Sequence, residues 1–150
     1  LLLMRQPDAC YRLDRALQQA GLGRFSAQDF ESAEHQALAR AILEALEQEE
    51  MDPDIYLRDR MPEDLQERAS QLRQPLQKGE PNADQLLEDL VRSMQKLRLL
   101  RVNEGLQQMR YLQEDASQDG VNPYAEMIVQ YMQVRARLDK ALAGPLVLDS

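Results

Sequence analysis

A proline-free stretch from Asp84 to Asp115 constrains this chain more than any other feature. Asn82, with Gln85 three residues on, supplies an N-cap and a capping box for a helix opening at Ala83 or Asp84. Read as one helix, it holds about 32 residues and is roughly 48 Å long at ~1.5 Å per residue, well beyond the three or four turns usual in a globular domain. A helix of that length serves two packing environments. Leu87, Leu90, Val91, Met94 and Leu97 line one stripe, and Leu99, Val102, Leu106, Met109 and Leu112 line another. Between them Leu97, Leu99 and Leu100 make the helix apolar on nearly all sides, as expected where it leaves one partner and meets a second. Gly105 is its weak point, costing roughly 1 kcal/mol relative to alanine.

The second partner lies downstream. Tyr124, Met127, Tyr131, Val134, Leu138 and Ala141 recur at spacings of three, four, three, four and three residues, the heptad positions of a coiled-coil seam. The connector from Ala116 to Asn122 carries the turn signal Asp119-Gly120. Asn122 and Pro123 form an N-cap and first-position pair for the last helix. So short a connector predicts an antiparallel pair, ended by Gly144 and Pro145. Upstream, Leu1 to Met4 read as the last turn of a core helix, so the chain is expected to begin mid-helix as an excised domain. Cys10, Leu13, Leu17 and Ala20 mark an amphipathic helix stopped by Gly21 and Gly23. Ser32 caps a helix to about Gln48 with Glu31 and Glu34 near its positive end. Shorter helices are expected from Pro53 to Arg60 and from Pro62 to Arg73, followed by a break at Pro75, Gly79 and Pro81. The expected core is Leu13, Leu17, Phe30, Leu38, Ile42, Leu46, Leu65, Leu72, Leu87, Leu90 and Met94. The expected organisation is a bundle over residues 1–97, a hairpin over 98–143 and a tail over 144–150.

Composition agrees with an all-α fold: an N-terminal multi-helix bundle and a C-terminal antiparallel hairpin joined by one long shared helix. Threonine is absent, and isoleucine and valine are sparse beside Leu, Ala, Gln, Glu and Arg. A net charge of −8 disfavours a direct nucleic-acid surface, which needs clustered Lys and Arg. A single cysteine, Cys10, rules out an internal disulfide or a thiolate metal cluster within one chain, and its spacing from Leu13 and Leu17 places it in the core. No apolar run approaches the ~18 residues of a membrane span. His35 is the only histidine, so a histidine-based metal site within one chain is not expected. The acidic run Glu47, Glu49, Glu50, Asp52 and Asp54 lacks the glycine and alternate spacing of a calcium loop. Gly21-Leu22-Gly23 lacks the preceding strand that dinucleotide binding requires. The serines have no base at a suggestive spacing. No catalytic residue, cofactor, metal or small-molecule ligand is expected, and the informative surface is the projecting hairpin.

The opening Leu1-Leu2-Leu3-Met4-Arg5-Gln6-Pro7-Asp8, then Leu17, Asp29-Phe30, His35, Leu38 and Ile42, resembles the start of the helicase-binding domain at the C-terminus of bacterial replicative primases of the DnaG type. Leu86-Leu87-Glu88-Asp89, Lys96-Leu97-Arg98-Leu99-Leu100-Arg101, Leu106-Gln107 and the closing Arg137-Leu138-Asp139-Lys140-Ala141-Leu142 are similar to that domain's long helix and hairpin. The resemblance covers nearly the whole chain and rests on leucine-rich helical spacing. It implies a cytoplasmic interaction domain that docks on the N-terminal domains of the hexameric replicative helicase, recruits primase to the fork and modulates the helicase. Tyr131, Arg135, Arg137, Leu138 and Leu142 are the candidate partner contacts. The zinc-ribbon and polymerase motifs of such a primase are absent here, so primer synthesis attaches to no residue of this chain. Two other readings stay open: the N-terminal domain of the helicase itself, which shares the Phe30, His35, Ile42 pattern, and a scaffold or regulatory bundle that self-associates through its heptad helix.

Overall fold

The computed structural model describes residues 2–74, 82–116, 122–146 and 148, and every regular element among them is helical. The expected break at Pro75, Gly79 and Pro81, the Asp119-Gly120 turn, Leu1, and Val147, Asp149 and Ser150 of the tail lie outside the described residues. In order the elements are α1 (Leu2–Arg5), α2 (Ala9–Gln19), a 3-10 turn (Ala27–Asp29), α3 (Ala33–Glu47), α4 (Pro53–Arg60), α5 (Glu63–Arg73), α6 (Ala83–Ala116) and α7 (Ala125–Ala143).

Local chemistry sets most of these boundaries. Gly21, at φ +72°, closes α2 in a Schellman motif: Leu22 N–H donates to the Leu17 carbonyl and Gly21 N–H to that of Gln18, both at 2.9 Å. The Asp52 carboxylate accepts from Asp54 N–H at 2.9 Å with Pro53 in the first position of α4. At the start of α6 the Asn82 side chain accepts from Gln85 N–H at 2.8 Å while Gln85 accepts from Asn82 N–H at 3.3 Å, a reciprocal box. The last helix starts later than Asn122 and Pro123 suggest. Asn122 holds Tyr124 N–H at 3.2 Å, and the helix proper opens at Ala125.

Helices α1 and α2 and the 3-10 turn pack against α6, α3 packs on the turn, α4 and α5, and α5 returns to α1; together they bury Leu3, Met4, Leu13, Leu17, Leu38, Ile42, Leu57, Leu87, Val91 and Met94. Of the expected core, Phe30, Leu46, Leu72 and Leu90 are only partly buried and pack on its edge. At 34 residues, α6 is about 51 Å long, and its far half pairs with α7. Its buried face differs from the expectation of two stripes joined by leucines. It runs through Leu87, Val91, Met94, Gln95, Val102 and Leu106 with the half-buried Arg98 among them, while Leu97 and Leu100 are exposed and Leu99 is half-buried. The face keeps one direction because Gln95 and Arg98 are satisfied by hydrogen bonds inside it, so polar side chains occupy the crossing point.

Leu106→Ala, on this face, should therefore cost about 2–5 kcal/mol of unfolding free energy. Leu100→Ala should stay within about 0.5 kcal/mol of the parent. Equal losses in denaturant melts of the two variants would contradict the single-face assignment.

Candidate protein-docking face

The pairing of α6 with α7 begins at a polar root. Arg92 donates from Nη1 to the Ala141 carbonyl and from Nη2 to the Gly144 carbonyl, both at 2.7 Å, so it caps the C-terminal end of α7 from within α6. Higher up, Gly105 faces Tyr131, and a Cβ at position 105 would lie 2.8 Å from the ring carbon Cζ. The glycine that looked like a weak point in the helix is what lets this ring lie against the α6 backbone. Residue numbers thus fall along α7 as they rise along α6, from Arg92 opposite Ala141 and Gly144 to Gly105 opposite Tyr131. This root spans residues 92–98 of α6, across the division expected after residue 97.

Six residues beyond Arg92, Arg98 reaches in the other direction. Its Nε donates to Asp29 Oδ1 at 2.7 Å and its Nη2 to Oδ2 at 3.0 Å, a bidentate pair whose side chains are 15% and 8% exposed. Nη1 and Nη2 also donate to the carbonyls of Gly23 and Arg24 at 2.6 and 2.8 Å. Asp29 accepts from Ser26 N–H at 2.9 Å, and Asp14 of α2 accepts from Phe25 N–H at 2.7 Å. The segment between α2 and α3 is thereby tied to α6 and α2, with Phe25 and Phe30 edge to face at 5.9 Å and the His35 ring tilted by 54° against Phe30 at 5.9 Å. His35 is a half-buried ring beside an apolar cavity of about 210 Å³, with Leu72, Leu90 and Leu97 among its walls.

The candidate contacts on α7 do not share an outward face. Leu138 is fully buried in the seam and presents nothing to a partner, because the heptad position that made it conspicuous is the inward one. Tyr131, Arg135 and Leu142 are half-buried, and Tyr131 is occupied by Gly105. Arg137 is exposed, with Cδ 3.6 Å from where a Gly21 Cβ would stand. The outward apolar surface is a second stripe, Val129, Met132, Ala136 and Ala143, with Val129 52% and Met132 44% exposed. Met127 on α7 and Tyr111 on α6 are exposed as well. The spacing of 129, 132, 136 and 143 is itself heptad-like, so the signal was present in the sequence beneath the stronger seam pattern.

Among the described residues no helix is long and apolar enough to cross a membrane, and no three His, Cys, Asp or Glu side chains could hold a metal ion together. Comparisons with protein-family models, curated proteins and solved structures find no significant match to this chain.

Cys10 is buried, and its thiol is pushed up from 9.0 to about 12, first by desolvation and then by the Asp14 carboxylate. A thiol with a raised folded value keeps its proton while the unfolded chain loses its own, so its contribution is whole below pH 9.0 and is lost as pH rises towards 12. Cys10→Ala should therefore flatten the alkaline decline in stability between those limits, measured by denaturant melts across pH. An unchanged slope would contradict the placement of Cys10.

Proposed function

We propose that the chain is a protein-interaction domain in which a helical bundle carries an antiparallel helical hairpin. In this reading it serves a bacterial replicative primase as its helicase-binding domain. It docks on the N-terminal domains of the hexameric replicative helicase, brings primer synthesis to the fork and modulates the helicase. It acts in the cytoplasm, without cofactor, metal or catalytic step of its own, and without direct contact to nucleic acid. The observation that carries the reading is the outer stripe of α7: a helix already paired along one face leaves Val129, Met132, Ala136 and Ala143 in water on another. Exposed apolar side chains at helical spacing are the anchors by which one helix is laid against another protein. The buried root beneath the stripe holds it in a fixed orientation, which lowers the entropy lost on binding.

The same heptad-like spacing favours one competing reading, a second copy of this chain on the stripe. The two differ in what they require. Self-association gives a mass that rises with concentration in the absence of helicase, whereas helicase docking does not.

Val129→Ser combined with Met132→Ser tests the docking face directly. Each side chain buried in a complex is worth about 1.5–3 kcal/mol, so affinity for the helicase N-terminal domains should fall at least tenfold while the thermal midpoint stays near that of the parent. An affinity unchanged by both substitutions would exclude this face, and a parent domain that fails to bind helicase would exclude the reading itself.

A further inference from the structure

A cleft of about 450 Å³ opens where α7 ends beside the end of α2, and its chemistry is unlike that of the rest of the molecule. The chain carries 26 acidic and 18 basic residues. Yet Arg137 and Lys140 line this cleft, and among the described residues no carboxylate does. Gln95 forms part of the floor. It is 1% exposed, and its Oε1 accepts from Arg92 Nη1 at 3.4 Å, which fixes the amide at the edge of the cleft. Apart from Gln19 and the two glycines, the rest of the lining is apolar: Ala16, Ala20, Ala141, Pro145 and Leu146.

An ordinary structural task would account for the two cations if they neutralised the negative ends of α2 and α7. Those ends are already served. Arg92 takes the carbonyls of Ala141 and Gly144, Gly144 N–H takes that of Lys140, and the Schellman motif takes those of Leu17 and Gln18. Arg137 and Lys140 accordingly stand over the cleft with no ion pair among the described residues, and the stem of Arg137 is laid across Gly21.

From this arrangement we infer that the cleft is a binding site for a small organic anion, with a phosphate or carboxylate group held by Arg137, Lys140 and the Gln95 amide. The carbon part of the ligand lies against the alanine, proline and leucine wall. A planar guanidinium with an ammonium and an amide donor matches the several acceptor oxygens of such a group. The volume suits a ligand of this size.

The test is a nuclear magnetic resonance titration of the full chain with phenyl phosphate, with phthalate, and with benzyl alcohol as the uncharged counterpart. Saturable shifts are expected at the Gln95 side-chain amide, the Arg137 Nε–H and the Gly21 backbone amide, with half-saturation below about 1 mM for at least one of the two anions. The anion that saturates first identifies the preferred group. Arg137→Gln combined with Lys140→Gln should raise half-saturation at least tenfold, whereas Arg137→Lys with Lys140→Arg should largely retain binding. Both positions are exposed, and an unchanged helical spectrum in each variant establishes that the fold is intact. Absence of saturation, equal binding of benzyl alcohol, or indifference to the paired glutamine substitutions would each overturn the assignment.

Discussion

The structure depends on the guanidinium of Arg98. It lies where the long helix α6 leaves the bundle, and every bond it makes goes to the segment joining α2 to α3: the two oxygens of Asp29 and the carbonyls of Gly23 and Arg24. Removing a charged pair from water costs several kcal/mol per ion unless the geometry is good and the remaining polar atoms are satisfied. Both conditions hold here. The pair is bidentate, each of the three guanidinium nitrogens has an acceptor, and Asp29 also closes the turn at Ser26. The surface ion pairs, Arg12 with Asp84, Arg58 with Asp54 and Arg68 with Glu34, are exposed and each contribute no more than about 1 kcal/mol.

Arg92 repeats the arrangement on the neighbouring turns of α6, turned towards α7 instead of the bundle. With Gln95 fully buried between them, three long polar side chains replace the apolar packing that would otherwise fill the crossing. Hydrogen bonds with fixed donors and acceptors specify direction, which dispersion contacts do not. The root of the α6–α7 pair is therefore set in angle as well as in place. Above it the seam of Val102, Leu106, Tyr131, Val134 and Leu138 needs only to close, and the outer stripe of α7 is presented at a fixed orientation.

Much of this was legible in the sequence. The all-helical fold, the box at Asn82 and Gln85, the stop at Gly21 and the start at Pro53 rest on local chemistry and appear in the structure, while of the heptad seam of α7 Leu138 is buried, Tyr131 and Val134 are half-buried and Met127 is exposed. The crossing was misread because a periodicity count treats leucine as inward and arginine as solvated. Leu97 and Leu100 face water while Arg98 lies inward, an inversion that depends on Asp29, which is far away in sequence and has no local mark of burial. Leu138 is a different case. Its spacing placed it in the seam against α6, and a residue buried there has no surface left to serve as a partner contact as well. The cation-lined cleft was invisible for a related reason, since Gln95, Arg137 and the end of α2 meet only once the chain has folded.

Coupling between Arg98 and Asp29 is the most direct test of this account. A double-mutant cycle with Arg98→Met, which keeps the aliphatic stem, and Asp29→Asn, which keeps the acceptor for Ser26, isolates the pair from the packing around it. The account requires non-additivity of at least about 2 kcal/mol in unfolding free energy, in the range measured for directly bonded groups. Additive losses within about 0.5 kcal/mol would show that the two side chains are merely adjacent, and that the root of α6 is held by apolar packing instead.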